Sequence, residues 1–457
     1  MYLPRSIDRV LAAWSRSRPR KPLILRGARQ SGKTEAIRRF GSEFEQYIEL
    51  NLERFDDLAL VRACRSADDL TAALKTRLNV AAFPEHTLLF IDEIQESAEA
   101  IQWLRFFYED HPDLAVVAAG SLMEVRLSDR GFSFPVGRVT FETLRPLGFF
   151  EFLRATGRDV LARNLEEAIL DGRSIPEPSR LQAREWLGTY LQVGGMPEAA
   201  VRWVETGSAT AAQQVHRDLL QSLAEDLQKY RGFGDASYLE AAFLALPNHY
   251  GLRFRYQNFV PGYRSRLMQK ALTKMASAHL VTIALATSSF QLPLQGRPRS
   301  APKLLPLDTA LALTSMGFDS SRLARSPIDS ALGGRVAEMF VGQEMVLESG
   351  STGLFFWVSE SSRANAEVDF LAVRGNQVLP VEVKTSAAGS LKSLHQFLWR
   401  SGSTEAIRLH EGETGAERLS VRMPDGELEY RLRSLPLYAA SLLGSSPIED
   451  QDKPRGN

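Results

Sequence analysis

A stretch of eight residues near the N-terminus has the spacing of a phosphate-binding loop. Successive backbone N–H groups of such a loop form a concave anion site, and the following helix adds its positive dipole end. Lys33 is expected to reach the β- and γ-phosphates of ATP, and the Thr34 hydroxyl to ligate Mg²⁺. ATP and Mg²⁺ are therefore the predicted cofactors. The loop reads Gly27-Ala28-Arg29-Gln30-Ser31-Gly32-Lys33-Thr34.

Two adjacent carboxylates, Asp92 and Glu93, follow an apolar run from Thr87 to Ile91. Asp92 is the natural outer-sphere ligand of Mg²⁺, and Glu93 is the natural group to orient or deprotonate an attacking water. A strand that ends in a solvated turn would have the same residues. The phosphate loop in the same chain favours the catalytic interpretation.

A third set of chemically capable residues lies near the C-terminus. The stretches 366–373 and 378–384 alternate like two strands of a hairpin, and this alternation places Glu382 and Lys384 on one face. Asp369 on the neighbouring strand can join them. Asp369 and Glu382 could bind Mg²⁺ and activate water, while Lys384 neutralises charge at a scissile phosphate. The alternative is a structural hairpin whose charges face solvent.

The middle of the chain contains cations but no acids. No Asp or Glu occurs between Ala241 and Leu307, although the net charge of the whole chain is zero. Such a segment could contact a phosphate backbone, or it could dock against acidic parts of the same chain. Its cations are Arg253, Arg255, Arg264, Arg266, Lys270, Lys274, Arg297, Arg299 and Lys303.

The same segment has the pattern of a winged helix-turn-helix. Apolar spacing predicts a helix over 265–278, and the stretches 279–286 and 289–294 predict a wing hairpin. A DNA-recognition helix would expose its basic face, so DNA is a candidate partner. The cations of that face would be Arg264, Arg266, Lys270 and Lys274.

The composition is that of an ordinary globular protein. Of 457 residues, 44% are hydrophobic, and 55 Lys and Arg balance 55 Asp and Glu. Cys64 is the only cysteine, which excludes an internal disulfide and a Cys-based zinc site. No apolar run approaches about 18 residues, and charges interrupt the N-terminus, so we expect no membrane span, no signal peptide and a cytoplasmic protein.

Strand and helix signals alternate in the first part of the chain. Apolar runs predict strands over 22–25, 47–51, 87–91 and 114–121, and a helix follows the phosphate loop at 35–40. The loop and the carboxylate pair would then share the carboxyl edge of a parallel sheet, where such sheets bind ligands.

This N-terminal part resembles the archaeal-type branch of the AAA ATPases. The resemblance implies a P-loop ATPase in which Ser121, at the end of a strand, senses the γ-phosphate. Glu35 departs from the pattern, because a second hydroxyl often stands there and a carboxylate adds negative charge beside the phosphates. The matching residues are Arg5, the phosphate loop, Ile91–Gln95, Ala119–Ser121 and Leu144–Leu153.

An arginine is needed to stabilise charge during phosphoryl transfer. Arg138 is the candidate, and Arg126 and Arg130 compete with it. For each of them an exposed surface arginine is the alternative.

The stretch Tyr190–Glu198 resembles the Gly-Gly-x-Pro element of that family's helical lid. Pro197 fits the start of a helix, and Gly194 and Gly195 fit a tight entry to it. The resemblance implies that this turn lies near bound nucleotide.

The C-terminal third resembles the PD-(D/E)XK nuclease-like fold, and in detail the domain of unknown function that commonly follows archaeal-type AAA ATPases. In that fold the first helix contributes a glutamate, here Glu338 or Glu344. Weaker supporting candidates are Ser361–Arg363 and Gln396. Fold alone does not establish activity, because many such domains are thought to be silent. The matching stretches are Pro306–Ala310, Gly334–Glu338, Glu344 and 367–384.

The predicted fold class is α/β, with a P-loop NTPase (AAA+) core, a helical lid, a winged-helix module and a C-terminal α/β restriction-endonuclease-like domain. The predicted boundaries are 1–155 for the ATPase core, 156–234 for the lid, 235–315 for the winged helix, 325–440 for the nuclease-like domain and 441–457 for a disordered tail.

Two functions are consistent with these residues. In the first, ATP binding and hydrolysis drive a C-terminal module that grips or cleaves nucleic acid with Mg²⁺. In the second, the chain is a nucleotide-dependent switch whose C-terminal domains bind a regulatory protein or other partner without catalysis. Neither function involves a membrane.

Overall fold

The computed structural model describes residues 1–120, 135, 137–228, 236–297, 299–318, 333–349, 353–359, 366–385 and 390–444. The chain forms two compact units. The first comprises Met1–Pro146 and Thr273–Leu280, and the second comprises Leu147–Leu272 and Val281–Asn457.

The first unit is built on a five-stranded parallel sheet with the order β2-β3-β4-β1-β5. The predicted strands are confirmed, each with bounds within two residues of the expectation. The carboxyl ends of β1 and β3 carry the phosphate loop and the carboxylate pair. The strands are β1 (Leu23–Arg26), β2 (Gln46–Asn51), β3 (Thr87–Asp92), β4 (Ala115–Ala119) and β5 (Thr140–Thr143).

Helices cover both faces of this sheet, because its central strands are buried on both sides and read as unbroken apolar runs. On one face α1 and α2 pack against Leu23, Leu25 and Phe90. On the other face α3, α4 and α5 pack against Ile24 and Ile91. The helices are α1 (Ser6–Arg16), α2 (Lys33–Gly41), α3 (Phe55–Ala63), α4 (Ala67–Leu78) and α5 (Ala98–Asp110).

The second unit begins with helices, as predicted for the lid region. Pro197 is the first residue of its helix, as the sequence predicts. The predicted helix over 265–278 is also confirmed, and it ends at Ser277. Its residues from Thr273 onward belong to the first unit. The helices are α6 (Phe149–Ala155), α7 (Asp159–Leu170), α8 (Glu177–Val193), α9 (Pro197–Thr206), α10 (Ala209–Gln228), α11 (Ala236–His249), α12 (Ser265–Ser277), α13 (Thr309–Ser315), α14 (Gly333–Ser349) and α15 (Lys392–Ser401).

A nine-stranded mixed sheet forms the rest of the second unit, in the order β13-β14-β12-β11-β10-β9-β7-β8-β6. The predicted hairpin is confirmed as β10 paired antiparallel with β11, with Arg374 opposite Gln377. The strands are β6 (Leu252–Arg253), β7 (Val281–Thr287), β8 (Lys303–Pro306), β9 (Phe355–Val358), β10 (Glu367–Arg374), β11 (Gln377–Val383), β12 (Glu405–His410), β13 (Gly415–Met423) and β14 (Gly426–Pro436).

The predicted wing hairpin is wrong in its second strand. The stretch 289–294 contains no strand, and the antiparallel partner of β7 is β8. Phe290 packs instead on Trp357 and Phe397, so its apolar alternation reflects core packing. On its other side β7 pairs in parallel with β9. One sheet therefore crosses the boundary predicted between the modules at 235–315 and 325–440.

The predicted tail begins later than residue 441. A 3₁₀ helix extends over Leu437–Leu442, and Leu443 is buried, because these apolar residues close the core of the second unit. Residues 445–457 lie outside the described residues. Across the described parts of the chain, none of the helices combines the length and apolarity needed to span a bilayer.

Candidate functional site

The phosphate loop connects β1 to α2, and its glycines are required by backbone geometry. Gly27 has φ 147° and Gly32 has φ 93°, in the region that favours glycine. A Cβ at Gly27 would lie 2.2 Å from the carbonyl oxygen of Leu144. The residue that follows β5 therefore packs closely against the start of the loop.

The lysine and threonine of the loop, predicted to bind phosphate and Mg²⁺, both make hydrogen bonds within the first unit. Lys33 Nζ donates hydrogen bonds to the carbonyl oxygens of Gly27 at 3.0 Å and Ala28 at 2.8 Å. Thr34 Oγ1 donates to Asp92 Oδ2 at 2.9 Å. This hydroxyl–carboxylate pair fits Mg²⁺, which prefers oxygen ligands.

Asp92 lies at the end of β3 and is buried. Burial raises the pKa of its carboxyl to about 6, and the hydrogen bond from Thr34 opposes the rise. An adjacent divalent cation would stabilise the ionised form of Asp92, because the cation offsets the cost of burying the negative charge.

Glu93 follows directly and has a left-handed backbone, with φ 51°. This conformation turns the chain sharply at the carboxyl edge of the sheet. Gln95 Nε2 donates a hydrogen bond to Glu93 Oε2, and the Glu93 N–H donates to Asp92 Oδ1 at 3.1 Å. The two predicted carboxylates thus lie side by side.

Glu35, which departs from the family pattern, lies on the surface of α2. Its exposed carboxylate forms an ion pair with Arg38 one turn along α2, at 3.0 Å. Arg38 also pairs with Glu49 at 2.8 Å. One arginine is therefore shared by two carboxylates, and the effect of Glu35 on bound phosphates stays a prediction.

The remaining loop residues differ in exposure. Ala28 and Ser31 are buried, Arg29 is half-buried and Gln30 is exposed. Gln30 has a positive φ of 59°, which is uncommon for a residue with a side chain. Their roles in nucleotide binding stay predictions that rest on their place in the loop.

Arg5 supports the loop from the side of α1. This buried arginine donates from Nη1 to the carbonyl oxygen of Ser31 at 3.3 Å and from Nη2 to that of Arg145 at 2.5 Å. Its own N–H donates to Asp8 Oδ2 at 2.8 Å. The sequence identified Arg5 only by resemblance. In the structure its hydrogen bonds link the phosphate loop to the segment at Arg145.

The residues predicted to contact the γ-phosphate are less well defined. Arg138 is half-exposed and forms an ion pair with Glu109 of α5 at 2.7 Å. Its role in catalysis stays a prediction. Ser121, Arg126 and Arg130 lie outside the described residues.

His279 is a residue of the first unit that the sequence did not single out. Burial lowers the pKa of its imidazole to about 4, and the positive charges of Arg145, Arg26 and Lys33 lower it further. His279 is therefore neutral at pH 7. The only sequence signal is its place just after the end of α12.

In the second unit the three residues predicted for the nuclease-like site do come together. Val383 N donates to Asp369 Oδ2 at 2.8 Å, and Lys384 Nζ lies 2.6 Å from Glu382 Oε1. Burial and the charge of Asp369 raise the pKa of Glu382 to about 7. Their proposed roles as metal ligands and catalytic lysine stay predictions.

A second lysine, Lys303 of β8, enters the same cluster. Its side chain is 3% exposed, and its Nζ lies 2.8 Å from Glu367 Oε1, 3.0 Å from Glu338 Oε2 and 3.6 Å from Asp369 Oδ1. Three carboxylates of the cluster therefore already pair with an ammonium. No group of three or more His, Cys, Asp or Glu among the described residues is arranged to hold a metal ion.

Glu338 and Glu344, the two glutamates that the resemblance offers, differ in what they contact. Glu338 reaches the cluster through Lys303. Glu344 instead accepts hydrogen bonds from the N–H of Phe149 at 3.1 and 3.3 Å. Burial raises the pKa of Glu344 to about 8, so this carboxyl is mostly protonated at pH 7.

The Gly-Gly-x-Pro element is held by buried polar contacts within the second unit. Gly195 N donates to Asp308 Oδ2 at 2.7 Å, and Asp308 Oδ1 caps α13 by accepting from Leu311 N at 2.8 Å. A Cβ at Gly195 would lie 2.0 Å from the Leu147 carbonyl oxygen. The glycines are therefore required by close backbone approach, and proximity of this turn to nucleotide stays a prediction.

The basic face predicted for α12 is partly available to solvent. Arg264, Arg266 and Lys270 are exposed, and Lys274 is half-buried. Elsewhere in the acid-free segment two cations are used internally, since Arg253 pairs with Glu367 at 3.0 Å in addition to the ion pairs of Lys303. Docking within the chain therefore applies to Arg253 and Lys303, and contact of the α12 face with a phosphate backbone stays a prediction.

Comparison with known families divides the chain into three matched regions. Residues 19–153 match the AAA domain family. Residues 184–322 match a domain of unknown function (DUF8612), and residues 333–423 match another domain of unknown function (DUF4143). Residues 19–153, most of which lie in the first unit, are thus similar to AAA domains.

Solved structures resemble the chain only distantly. The Walker-type ATPase PABY2304 of Pyrococcus abyssi is 14% identical, with 69% of this chain and 96% of that chain covered and a TM-score of 0.43. The Aeropyrum pernix ORC1 protein in complex with DNA is 14% identical over 69% of this chain and 92% of its own, with a TM-score of 0.29. The Aeropyrum pernix ORC2 protein is 11% identical over 72% and 97%, with a TM-score of 0.32. No curated protein matches the sequence.

Proposed function

We propose that this chain hydrolyses ATP in its first unit and that the nucleotide state controls binding of a nucleic acid by its second unit. One observation carries the ATP half of the proposal. Thr34 Oγ1 lies 2.9 Å from Asp92 Oδ2, next to a lysine that the phosphate loop holds. A hydroxyl and a carboxylate in contact are what Mg²⁺ bound to nucleotide phosphates requires.

Each residue of the site has a distinct task in this proposal. When bound, Mg²⁺ neutralises part of the charge on the β- and γ-phosphates. Thr34 would ligate it directly and Asp92 as an outer-sphere partner. Lys33 would exchange its carbonyl partners for phosphate oxygens, and Glu93 would orient or deprotonate the attacking water. Ser121 and Arg138 are proposed as γ-phosphate contacts.

The nucleic-acid half rests on the exposed cations of α12. Arg266 and Lys270 are four residues apart and therefore share a helix face. No Asp or Glu occurs between 241 and 307 to neutralise them locally. An exposed basic face without nearby acids in the sequence suits a phosphate backbone.

Replacing Arg266 and Lys270 with glutamine should weaken DNA binding roughly tenfold and reduce the salt slope of log K by about two, since each phosphate contact contributes about 0.9. Binding isotherms at several salt concentrations, in ATP and in ADP, measure both effects. The matched control replaces Arg418 and Arg422, exposed arginines of β13, and should leave the slope unchanged.

Wild-type binding that does not vary with salt would contradict this prediction. It would also be contradicted if replacing Arg418 and Arg422 reduced the salt slope as much as replacing Arg266 and Lys270. Equal affinity in ATP and ADP would contradict control by nucleotide while leaving the α12 contact in place.

Metal-dependent cleavage by the second unit is the second candidate function. It is favoured by the contact of Glu382 with Lys384 and by the hydrogen bond from Val383 N, between them in sequence, to Asp369. In that case Asp369 and Glu382 would be the metal ligands and Lys384 would stabilise the scissile phosphate. The ion pairs of Lys303 weigh against it. Binding without cleavage is therefore the function that we prefer for this unit.

A further inference from the structure

The carboxylate cluster of the second unit draws its residues from four separate elements. Lys303 comes from β8, Glu338 from α14, Glu367 and Asp369 from β10, and Glu382 from β11. Three of the carboxylates approach a single ammonium, that of Lys303, within 2.8 to 3.6 Å. The cluster is thus arranged around a cation that the chain itself supplies.

We propose that Lys303 takes the place of a divalent cation in this cluster and makes the second unit a binding module that does not cleave. This inference deepens the proposed function, because it assigns the carboxylates to holding β8, β10, β11 and α14 together. The ligand of the cluster is then an internal ammonium.

The surroundings of Lys303 favour a permanent ammonium. Its Nζ lies 5.1 and 5.4 Å from the ring centroids of Phe356 and Phe370, where aromatic faces attract a cation. Burial alone lowers the pKa of this lysine, but the charges of Glu338, Asp369 and Glu367 raise it above its ordinary value. Lys303 is therefore charged at every pH at which the chain would be studied.

The charges of the cluster nearly balance without a metal. Its cations are Lys303, Lys384 and Arg253, which pairs with Glu367 at 3.0 Å. These three cations face the four carboxylates of the cluster, so the formal charges differ by one. A divalent cation added to this balanced group would gain little attraction.

Several of the carboxylate oxygens that a metal would need are already engaged. Asp369 accepts from Val383 N through Oδ2 and faces Lys303 through Oδ1. Glu382 pairs with Lys384 through Oε1, and its buried Oε2 has no hydrogen-bond partner among the described residues. Mg²⁺ demands several oxygens at about 2.0 to 2.1 Å in octahedral geometry. To bind among Glu338, Glu367 and Asp369 it would have to displace the buried ammonium of Lys303.

The test is calorimetric titration of the nucleotide-free full chain with Mn²⁺ at pH 8. We compare the wild type with Lys303→Met, which keeps the aliphatic stem but removes the charge. The wild type should show no heat that depends on Asp369, and Lys303→Met should bind Mn²⁺ at least about tenfold more tightly, because its buried carboxylates lose their counterion. Lys392→Met, at an exposed lysine of α15, is the matched control.

Two results would overturn the proposal. One is wild-type Mn²⁺ binding that Asp369→Asn removes, and the other is a folded Lys303→Met chain that binds no Mn²⁺. If Lys303→Met does not fold, the test compares the wild type with Asp369→Asn alone. Equal heats of Mn²⁺ binding in these two chains would support the proposal. The phosphate loop is identical in all of these chains. Loss of ATP hydrolysis would therefore count against the proposed function and not against this inference.

Discussion

Lys33→Ala should weaken ATP binding by roughly a hundredfold, equivalent to about 3 kcal/mol. The substitution removes the ammonium that the loop holds against the carbonyl oxygens of Gly27 and Ala28. That ammonium is the mobile cation next to the predicted phosphate position, and a charge-assisted hydrogen bond to phosphate is among the stronger polar contacts. Titration of the purified chain with a fluorescent ATP analogue measures the effect.

A control for this prediction is Lys75→Ala, which removes a lysine of α4 in the same unit. It should leave ATP affinity unchanged. An unchanged dissociation constant in the Lys33 variant would refute the assignment of the phosphate loop. Equal losses in both variants would indicate a general effect of charge on nucleotide binding.

Glu93→Gln should slow ATP hydrolysis by about 10² to 10⁴-fold while leaving ATP binding intact. Glutamine has the shape of glutamate and can still interact with Gln95, but it cannot accept a proton from water. The expected result is a lower kcat, measured as phosphate release at saturating ATP, with an unchanged dissociation constant.

Glu96→Gln is the matched control, because Glu96 lies in the same 3₁₀ turn, Ile94–Glu96. It should hydrolyse ATP at the wild-type rate. If Glu93→Gln also turns over normally, another group activates the water, and the assignment of the carboxylate pair fails.

Local sequence predicted the first unit well for physical reasons. A parallel strand covered on both faces reads as an apolar run, and the phosphate loop needs glycine where φ is positive. The places of Gly27 and Gly32 in the loop and the end of β3 could therefore be predicted from the residues themselves. The contact between Thr34 and Asp92 is consistent with the predicted placement of the loop and the carboxylate pair at one edge of the sheet.

Strand pairing in the second unit could not be predicted from local sequence. The stretch 289–294 alternates like a strand, but Phe290 uses that alternation to pack on Trp357. The true partner of β7 is β8, which lies farther along the chain. Period-two alternation indicates that one face of a segment is buried. It does not indicate which part of the chain covers that face.

The role of Lys303 was also hidden, because its partners are distant in sequence. Glu338, Glu367 and Asp369 lie 35 to 66 residues farther along the chain. The available signal was a single charged residue at the start of an otherwise apolar strand, Lys303–Pro306, whose residues are all buried. A charge in such a strand requires a buried partner.

Glu338 and Glu344 illustrate a third limit of local reasoning. At about 100° per residue, six positions along α14 turn the side chain by about 240°, so the two glutamates face different neighbours. Which of them faces the sheet depends on how the helix packs. In the structure Glu338 pairs with Lys303, and Glu344 accepts a hydrogen bond from the N–H of Phe149.

The most direct test of the central claim incubates the purified full chain with ATP, labelled DNA and Mg²⁺ or Mn²⁺, and quantifies phosphate release and DNA fragments in the same sample. An ATP-dependent switch with a lysine-filled carboxylate cluster should release phosphate and leave the DNA intact. The contradicting result is metal-dependent DNA cleavage that Asp369→Ala and Glu382→Ala each abolish while phosphate release persists.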